Sequence, residues 1–328
     1  MHTGARGRFP PTRGAVVTCD CVEVFTVMVQ RSEVEFLSQG VICRAWLYQP
    51  AQPSGHPAPG IIMAPGLGGT REAGLDPYAR RFAEAGYVVL LFDYRHCGAS
   101  DGEPRQLLSI ARQLADWAAA IAFARRHPAI DGERLALWGT SFSGGHVLVA
   151  AARDGHVAAV AAQGPMMDGR AAVLNVIRYA GLGMALRLVG AGLRDVAHAA
   201  LGQPPVYVPV VASPGQLAAM SSADADAGYR AITPPDWNNA MTARLVLTLG
   251  FYRPIRYARR LPCPLLILAC GQDSVAPVRA ALATAKRAGD KAELKMYSDL
   301  GHFEIYVGAG FERSSTDQLT FFQRVLRR

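Results

Sequence analysis

The chain has 328 residues, half of them hydrophobic and 18% charged, with a formal net charge of +8 at pH 7. This length and composition exclude a disordered chain and fit a globular protein with one large domain, or one domain with an insert. Arginines scattered along the sequence carry nearly all of the positive charge, without the interleaved aromatic residues of a nucleic-acid surface, so we expect no nucleic-acid partner.

The cysteines and the N-terminal residues indicate in which cellular compartment we expect the protein. The six cysteines show no paired C-x-x-C spacing, and Cys43, Cys263 and Cys270 lie in apolar runs typical of buried strands. Cys19-Asp20-Cys21 could hold a metal or form a disulfide, but no second Cys/His pair stands nearby to complete a site. Neither a signal peptide nor a membrane-spanning segment is indicated. We therefore expect reduced thiols, no metal or other cofactor, no stable membrane insertion and a cytoplasmic location.

The first predicted elements follow a Gly-, Arg- and Pro-rich stretch over 1–27, which we expect to be a mobile extension. Two alternating runs around Gln39-Gly40 predict a β-hairpin. Apolar strands then alternate with helices: strands at "IIMAP", "YVVLLFDY", "RLALWG" and "VAAVAAQGP", and helices at "DPYARRFAEAG", 104–127 and "SGGHVLVAAAR". Buried strands that alternate with helices predict an α/β fold, a mostly parallel sheet with helices on both faces.

The alternation stops at residue 165 and resumes after residue 260. It resumes with a strand at "CPLLILAC", a helix over 276–288, a strand at "AELKMYS" and a helix near 311–327. We therefore expect an α/β core formed by 28–164 and 261–328, interrupted by a helical cap at 165–260.

The start of the cap is strongly apolar. Residues 171–190 have the pattern of one amphipathic helix, and a Pro-rich loop with further helical pieces follows. Such a helix could lie on a membrane surface. A lid over an apolar pocket explains it without a membrane, and we favour the lid.

The stretch "ALWGTSFSGGH" places Ser141 between a strand and a helix. A sharp turn at this junction projects a serine above the carboxyl edge of the sheet, where it can act as a nucleophile. The turn requires small residues two positions before and after the serine, here Gly139 and Ser143. The usual pattern is G-x-S-x-G, and we expect Ser143 to be small enough. A helix N-cap without chemistry is the alternative role for Ser141.

The candidate acid and base follow in the chain order Ser, acid, His that this fold requires. Asp273 follows the strand "LLILAC", and His302 follows the strand "AELKMYS". Both lie in loops at the carboxyl ends of strands, where open α/β sheets build their sites. Asp273 could instead cap the next helix, and Asp168 is a rival acid. We favour Asp273 on position.

Acyl transfer also requires N–H donors for the oxyanion that forms in the transition state. One candidate is the backbone N–H of Phe142, directly after the serine, and the second is that of Leu67 in the loop "PGLGGTRE". A Gly-rich loop could hold phosphate, but this one lacks both G-x-G-x-x-G and G-x-x-x-x-G-K-[ST].

The loop after the next strand, "FDYRHCGASDGEP", is also polar. We expect Asp93 and Arg95 to form an ion pair that shapes it. His96 could line the pocket, although a structural role fits equally well.

With these motifs the sequence resembles the α/β-hydrolase superfamily over residues 30–328. The resemblance rests on "MAPGLGGTRE", "FDYRHCGASDG", "LWGTSFSGGHVL", "FYRPIRYARRLPCPLLILACGQDSVAP" and "DLGHFEI". These stretches are similar to a branch with X-Pro dipeptidyl-peptidase-like hydrolases, dienelactone-hydrolase-like esterases and fungal polyketide transferases. The resemblance implies that Ser141, Asp273 and His302 occupy the triad positions, and that Phe142 and Leu67 occupy the oxyanion-hole positions.

We therefore predict a serine hydrolase that cleaves a small-molecule carboxylic ester or thioester through an acyl-enzyme. The apolar cap favours a medium or hydrophobic acyl group. An acyltransferase with the same triad is the alternative within this class. A binding protein without catalysis is the alternative outside it, and its signature, a missing triad residue, is not found.

Two related activities are disfavoured. Dehalogenases and epoxide hydrolases of this fold use Asp where this chain has Ser141. Aminopeptidases of the fold need an acidic cap residue for the substrate amine, and nothing distinguishes Asp224, Asp226 or Asp236 for that role.

Overall fold

The computed structural model of the chain describes residues 1–2, 29–51 and 56–326. Apart from its first two residues, the extension expected at 1–27 lies outside this range, as does Cys19-Asp20-Cys21. The strands are β1 (Gln30–Ser38), β2 (Val41–Gln49), β3 (Ala58–Ala64), β4 (Val88–Phe92), β5 (Ile130–Thr140), β6 (Ala159–Gln163), β7 (Tyr207–Val208), β8 (Met241–Thr242), β9 (Leu265–Cys270) and β10 (Ala292–Tyr297).

Eight of these strands form one sheet in the order β1-β2-β4-β3-β5-β6-β9-β10. β2 runs antiparallel to β1 and to β4, and the remaining neighbours in this sheet are parallel. The predicted α/β fold with a mostly parallel sheet is confirmed. The predicted hairpin is also present, with β1 and β2 paired antiparallel. Gln39 and Gly40, with φ values of +50° and +82°, reverse the chain between the two strands.

The helices are α1 (Asp76–Glu84), α2 (Ile110–Arg126), α3 (Phe142–Asp154), α4 (Gly169–Ala180), α5 (Leu182–Ala200), α6 (Ala225–Ile232), α7 (Val246–Leu249), α8 (Val278–Ala288) and α9 (Gly308–Leu326). The helix predicted over 104–127 begins only at Ile110. Gln106 has a φ of +58°, which is incompatible with a right-handed helix. The predicted start of this helix at residue 104 was therefore wrong.

Each face of the sheet has its own apolar layer. α2, α3 and α8 cover one face, where Trp117 and Val147 pack on Leu137. α1 and α9 cover the other face, where Phe82 and Phe322 pack on side chains such as Ile61 and Trp138. Successive residues of a strand point to opposite faces, so a strand buried on both faces is a continuous apolar run.

Residues 165–260, the cap segment, leave the sheet after β6 and rejoin it at β9. The prediction of a single helix over 171–190 is wrong. The structure has two helices there, α4 and α5, which meet at Gly181. Gly181 has φ +86° and ψ 161°, a conformation that glycine tolerates and that ends a helix. Within the described residues, no helix combines the length and apolarity needed to cross a bilayer.

Candidate active site

Ser141 lies at the turn between β5 and α3, with φ +54° and ψ −117°. This conformation is strained for a residue with a side chain, and backbone hydrogen bonds hold it. The Ser141 N–H donates to the Gln163 carbonyl at 2.8 Å, and the Ser141 carbonyl accepts from the Met166 N–H at 2.9 Å. Within the described residues, the Ser141 side chain makes no capping hydrogen bond to α3. The N-cap alternative is therefore disfavoured.

Gly139 and Ser143 meet across the turn, as the spacing predicts. A Cβ on Gly139 would lie 2.3 Å from the carbonyl oxygen of Ser143, so the backbone approach requires glycine at 139. The Ser143 side chain is fully buried, and its hydroxyl is hydrogen-bonded to the Tyr94 hydroxyl. The crowded contact thus involves the backbone of residue 143, which explains why a serine fits there.

His302 lies between Ser141 and Asp273. Its Nε2 is 3.1 Å from Ser141 Oγ, and its Nδ1 is 2.7 Å from Asp273 Oδ2. The other carboxylate oxygen of Asp273 accepts the N–H groups of Val275 and Ala276 at 2.8 and 2.6 Å. The carboxylate therefore contacts His302 while it also orders its own loop. The neutral tautomer with its proton on Nδ1 donates to Asp273 and can accept a proton from the serine hydroxyl at Nε2.

The rival acid, Asp168, lies at the start of α4. It accepts the Arg170 N–H at 3.0 Å, and Arg253 donates to it at 2.7 Å. Both of these contacts are structural, a helix cap and an ion pair.

The surroundings of His302 favour its protonated form. Burial lowers the pKa of this imidazole, but the nearby Asp273 carboxylate, with smaller contributions from Asp224 and Glu304, outweighs burial and raises the pKa above its usual value. Such an imidazole is a stronger base toward a serine hydroxyl and holds the proton it has accepted.

The prediction of an ion pair between Asp93 and Arg95 is wrong. Arg95 turns toward α2, where its Nε donates to Asp116 at 2.6 Å. Asp93 turns the other way, toward the loop after β3, and accepts the backbone N–H of Arg71 at 2.7 Å. Residues two apart in an irregular loop can diverge in this way. His96 is buried beside Arg112, with its Nε2 3.0 Å from the guanidinium group.

The two expected oxyanion donors lie beside the serine. Leu67, Ser141 and Phe142 line the same cavity. A Cβ on Gly66 would lie 3.0 Å from the Ser141 Cβ, so the loop that carries Leu67 packs directly on the serine. Phe142 is the first residue of α3, and such N–H groups have no acceptor within their helix. The arrangement can present two backbone donors near Ser141 Oγ.

A cavity of about 120 Å³ opens on Ser141. The cap segment supplies most of its walls, including Met166, Val176, Leu188 and Met220. Among the described residues that line it, none carries a charged side chain. α4 and α5 cover this cavity with one face and expose leucines on the other, namely Leu174, Leu182, Leu186 and Leu193.

His146, which lies in α3 and is fully buried, was not predicted from the sequence. Its Nε2 is 3.0 Å from Gln113 Oε1, and its Nδ1 is 2.6 Å from the Tyr252 hydroxyl. Its ring packs on that of Phe142, with centroids 4.6 Å apart. Burial lowers the pKa of His146 to about 3, so the ring is neutral. A histidine within an otherwise apolar helix is the signal that could have found it.

Two aromatic residues of the cap segment were also not predicted from the sequence. Tyr229 donates its hydroxyl to the Leu67 carbonyl at 2.7 Å, and Trp237 donates its indole N–H to the Gly68 carbonyl at 2.9 Å. The cap segment lacks the strand and helix alternation that located the other candidates, so no sequence signal marked these two.

This fold and site fit a known family. A family model described as serine aminopeptidase, S33, matches residues 55–305, and the chain belongs to this family of α/β-hydrolases. The predicted resemblance to the α/β-hydrolase superfamily is confirmed.

Relatives of known name extend the comparison. The quorum-quenching protein AidA of Acinetobacter baumannii is 45% identical over 298 residues, which cover 90% of this chain and 95% of AidA. The thiohydrolase aneE of Aspergillus aculeatus is 28% identical over 318 residues, which cover 90% of this chain and 93% of aneE. The crystal structure of the α/β-hydrolase GrgF from Penicillium sp. sh18 matches with a TM-score of 0.78 at 27% identity, covering 91% of this chain and 100% of that chain.

Proposed function

We propose that this hydrolase cleaves a carboxylic ester or thioester through an acyl-enzyme formed on Ser141. The observation that carries the proposal is the hydrogen-bonded series from Asp273 through His302 to Ser141, at 2.7 and 3.1 Å. A serine hydroxyl becomes nucleophilic when such a base removes its proton. Asp273 fixes the orientation of the ring and stabilises the imidazolium that results.

The reaction divides into two acyl transfers. In the first, Ser141 Oγ attacks the acyl carbon while His302 Nε2 takes the hydroxyl proton, and the N–H groups of Phe142 and Leu67 bind the oxyanion. His302 then gives the proton to the departing alcohol or thiol. In the second, water attacks the acyl-enzyme in the same way and releases the acid, which restores the serine hydroxyl.

The lining of the cavity supports a medium or hydrophobic acyl group. Apolar walls favour apolar substrate groups by excluding water from them. An aminopeptidase substrate would present an ammonium group, which the described lining offers no carboxylate to bind. The name of the relative aneE, a thiohydrolase, supports including thioesters among the substrates.

Labelling with a fluorophosphonate probe tests the nucleophile directly. We expect wild-type protein to label, Ser141→Ala to lose all labelling, and Asp273→Asn to label far more slowly. Loss of the acid from such a triad costs roughly 10⁴-fold in rate. Ser143→Ala is the matched control, a neighbouring buried serine that we expect to leave labelling intact.

A panel of p-nitrophenyl esters and acyl thioesters, from acetyl to decanoyl, then tests the substrate class. We expect kcat/KM to rise with chain length and to vanish in Ser141→Ala. Undiminished labelling of Ser141→Ala, or a folded wild type that neither labels nor hydrolyses any ester or thioester, would contradict the proposed function.

A further inference from the structure

One short helix of the cap segment, α6, touches three loops that carry candidate catalytic groups. α6 spans Ala225–Ile232. With its flanking residues it contacts the loop of Leu67, the loop of Asp273 and the loop of His302. α6 therefore does more than cover the pocket, because it contacts backbone groups and side chains that lie next to the candidate catalytic residues.

The contact with the Leu67 loop fixes a peptide orientation. The Gly66 carbonyl accepts the Gly69 N–H at 3.3 Å, and the Leu67 carbonyl accepts the Tyr229 hydroxyl at 2.7 Å. The Leu67 N–H belongs to the same planar, trans peptide as the Gly66 carbonyl, so the two groups point in opposite directions. The Gly69 N–H therefore holds the peptide that carries the Leu67 N–H, while the Tyr229 hydroxyl holds the next peptide, that of the Leu67 carbonyl and the Gly68 N–H. With both of its flanking peptides held, the Leu67 backbone keeps one orientation of its N–H. Trp237 holds the next carbonyl, that of Gly68, at 2.9 Å.

Close packing around Tyr229 makes this orientation specific. Tyr229 is 6% exposed, and its ring stacks on that of Trp237 with centroids 4.6 Å apart. A Cβ on Gly69 would lie 3.0 Å from the Tyr229 hydroxyl, so the loop and the phenol are in direct contact. Buried hydroxyls need partners, and here the partner is the Leu67 carbonyl.

The residue that directly precedes α6, Asp224, contacts the Asp273 loop. Ser274, next to Asp273, donates its hydroxyl to Asp224 Oδ1 at 2.5 Å, and Ser222 donates to the same oxygen at 2.9 Å. Two donors to one ionised carboxylate make a strong attachment. Asp224 directly precedes α6, so the helix and the loop of the candidate acid are held together.

The middle of α6 packs on the residue after His302. A Cβ on Gly228 would lie 2.3 Å from the ring of Phe303, so only glycine permits this approach. The ring of Phe303 lies edge-on to that of His302, with centroids 5.0 Å apart. α6 thus rests on the loop that holds the candidate base.

We propose that Tyr229 is a positioning residue for catalysis: it orients the Leu67 amide toward the oxyanion, with Trp237 as its support and α6 as the element that sets its place. The proposal rests on the proposed function, since it assumes an acyl-transfer transition state. The oxyanion exists only in that transition state and in the intermediate. Loss of this orientation therefore lowers kcat and leaves ground-state binding, and hence KM, nearly unchanged.

The test compares Tyr229→Phe with Tyr48→Phe, a matched control that removes a buried phenol bonded to Asp76 on the core. Losing an oxyanion donor outright costs about 10²- to 10³-fold in kcat, so we expect Tyr229→Phe to lose about tenfold to a hundredfold. KM should change less than threefold, and Tyr48→Phe should retain wild-type kcat. Trp237→Phe, which removes the indole N–H together with part of the ring that stacks on Tyr229, should lower kcat in the same direction.

The affinity for a boronic acid transition-state analogue distinguishes the proposed role of Tyr229 from a purely structural one. Across these variants that affinity should fall in parallel with kcat/KM, while the affinity of a ground-state product acid stays constant. Wild-type kcat in Tyr229→Phe, or a raised KM with unchanged kcat, would overturn the proposal. Ser141→Ala separates the two hypotheses: if it retains activity the proposed function fails, whereas an inactive Ser141→Ala beside a fully active Tyr229→Phe refutes only the role of Tyr229.

Discussion

The hydroxyl of Ser143 is hydrogen-bonded to the hydroxyl of Tyr94 in the protein core, and the indole of Trp117 donates to the same Tyr94 oxygen at 2.8 Å. Ser143 occupies the position where the common nucleophile pattern has glycine. Its side chain is therefore accommodated by a polar network beneath the turn, which connects α3 to α2 and to the end of β4.

This network predicts that Ser143→Ala mainly affects stability. The substitution leaves the buried Tyr94 hydroxyl with one partner fewer, so we expect the free energy of unfolding to fall by about 1–3 kcal/mol. The position of Ser141 is held by backbone bonds that remain, so kcat should stay within threefold of wild type. Urea denaturation and ester hydrolysis measure the two effects, and a tenfold loss of kcat in a folded variant would contradict this assignment.

Gly139→Ala should destroy the site. The added Cβ would lie 2.3 Å from the Ser143 carbonyl oxygen, and the turn that presents Ser141 cannot form with that contact. We expect fluorophosphonate labelling to fall at least a hundredfold.

Gly190→Ala is the control, since a Cβ there has nothing within 4 Å. It should label normally and gain about 0.5–1 kcal/mol of stability, because alanine favours the helical conformation. Equal labelling of both variants would show that the close approach at Gly139 is dispensable.

Asp224→Asn should shift the pH dependence of activity. The acid limb of kcat/KM reports the pKa of the free-enzyme base, here His302. Burial lowers that pKa, while the carboxylates of Asp273, Asp224 and Glu304 raise it. Asn at position 224 can still accept the Ser274 hydroxyl but carries no charge. The pKa of the acid limb should therefore fall, so that activity persists to lower pH.

The control for this shift is Asp226→Asn, two residues further on in α6, where the carboxylate pairs with Arg230 at 2.9 Å on the surface. We expect its pH profile to match wild type. An acid limb in Asp224→Asn that stays in place or moves upward would contradict the prediction.

His146 should make the fold sensitive to acid. Burial lowers the pKa of His146 to about 3 in the folded chain, whereas an unfolded histidine titrates near 6.5. Between these values only the unfolded chain binds the proton, so stability is complete above about pH 6.5 and falls as the pH drops, by up to about 1.4 kcal/mol per pH unit.

Urea denaturation at pH 7 and pH 5 measures this loss. His146→Gln should show a smaller loss between the two pH values than wild type, since glutamine does not titrate. His156→Gln, at an exposed position, should behave as wild type. The role of His146 is refuted if both variants lose stability equally between pH 7 and pH 5.

The parts of the fold that could be predicted are those that each strand encodes locally. Apolar runs marked the buried strands, and Ser141, Asp273 and His302 could be chosen as candidates because each follows such a run at the carboxyl edge. The break at Gly181 was not predictable from the pattern, since the apolar period continues on both sides. A glycine inside a helix costs only about 1 kcal/mol, so its presence alone does not end a helix.

The contacts of Tyr229 were not predictable for a different reason. Its partner, Leu67, is distant in sequence, and hydrogen bonds to backbone carbonyls leave no residue-type signal at the accepting position. The divergence of Asp93 and Arg95 likewise depends on partners that only tertiary packing brings close.

The contacts of α6 also bear on how the chain unfolds. The three loops that it touches follow different strands of the sheet, β3, β9 and β10, so detachment of the cap segment removes interactions from segments throughout the core. Elements that share such contacts melt together. We therefore expect calorimetry to show one cooperative transition in which the core and the cap segment unfold together. The candidate site should then be lost at the same temperature as the fold.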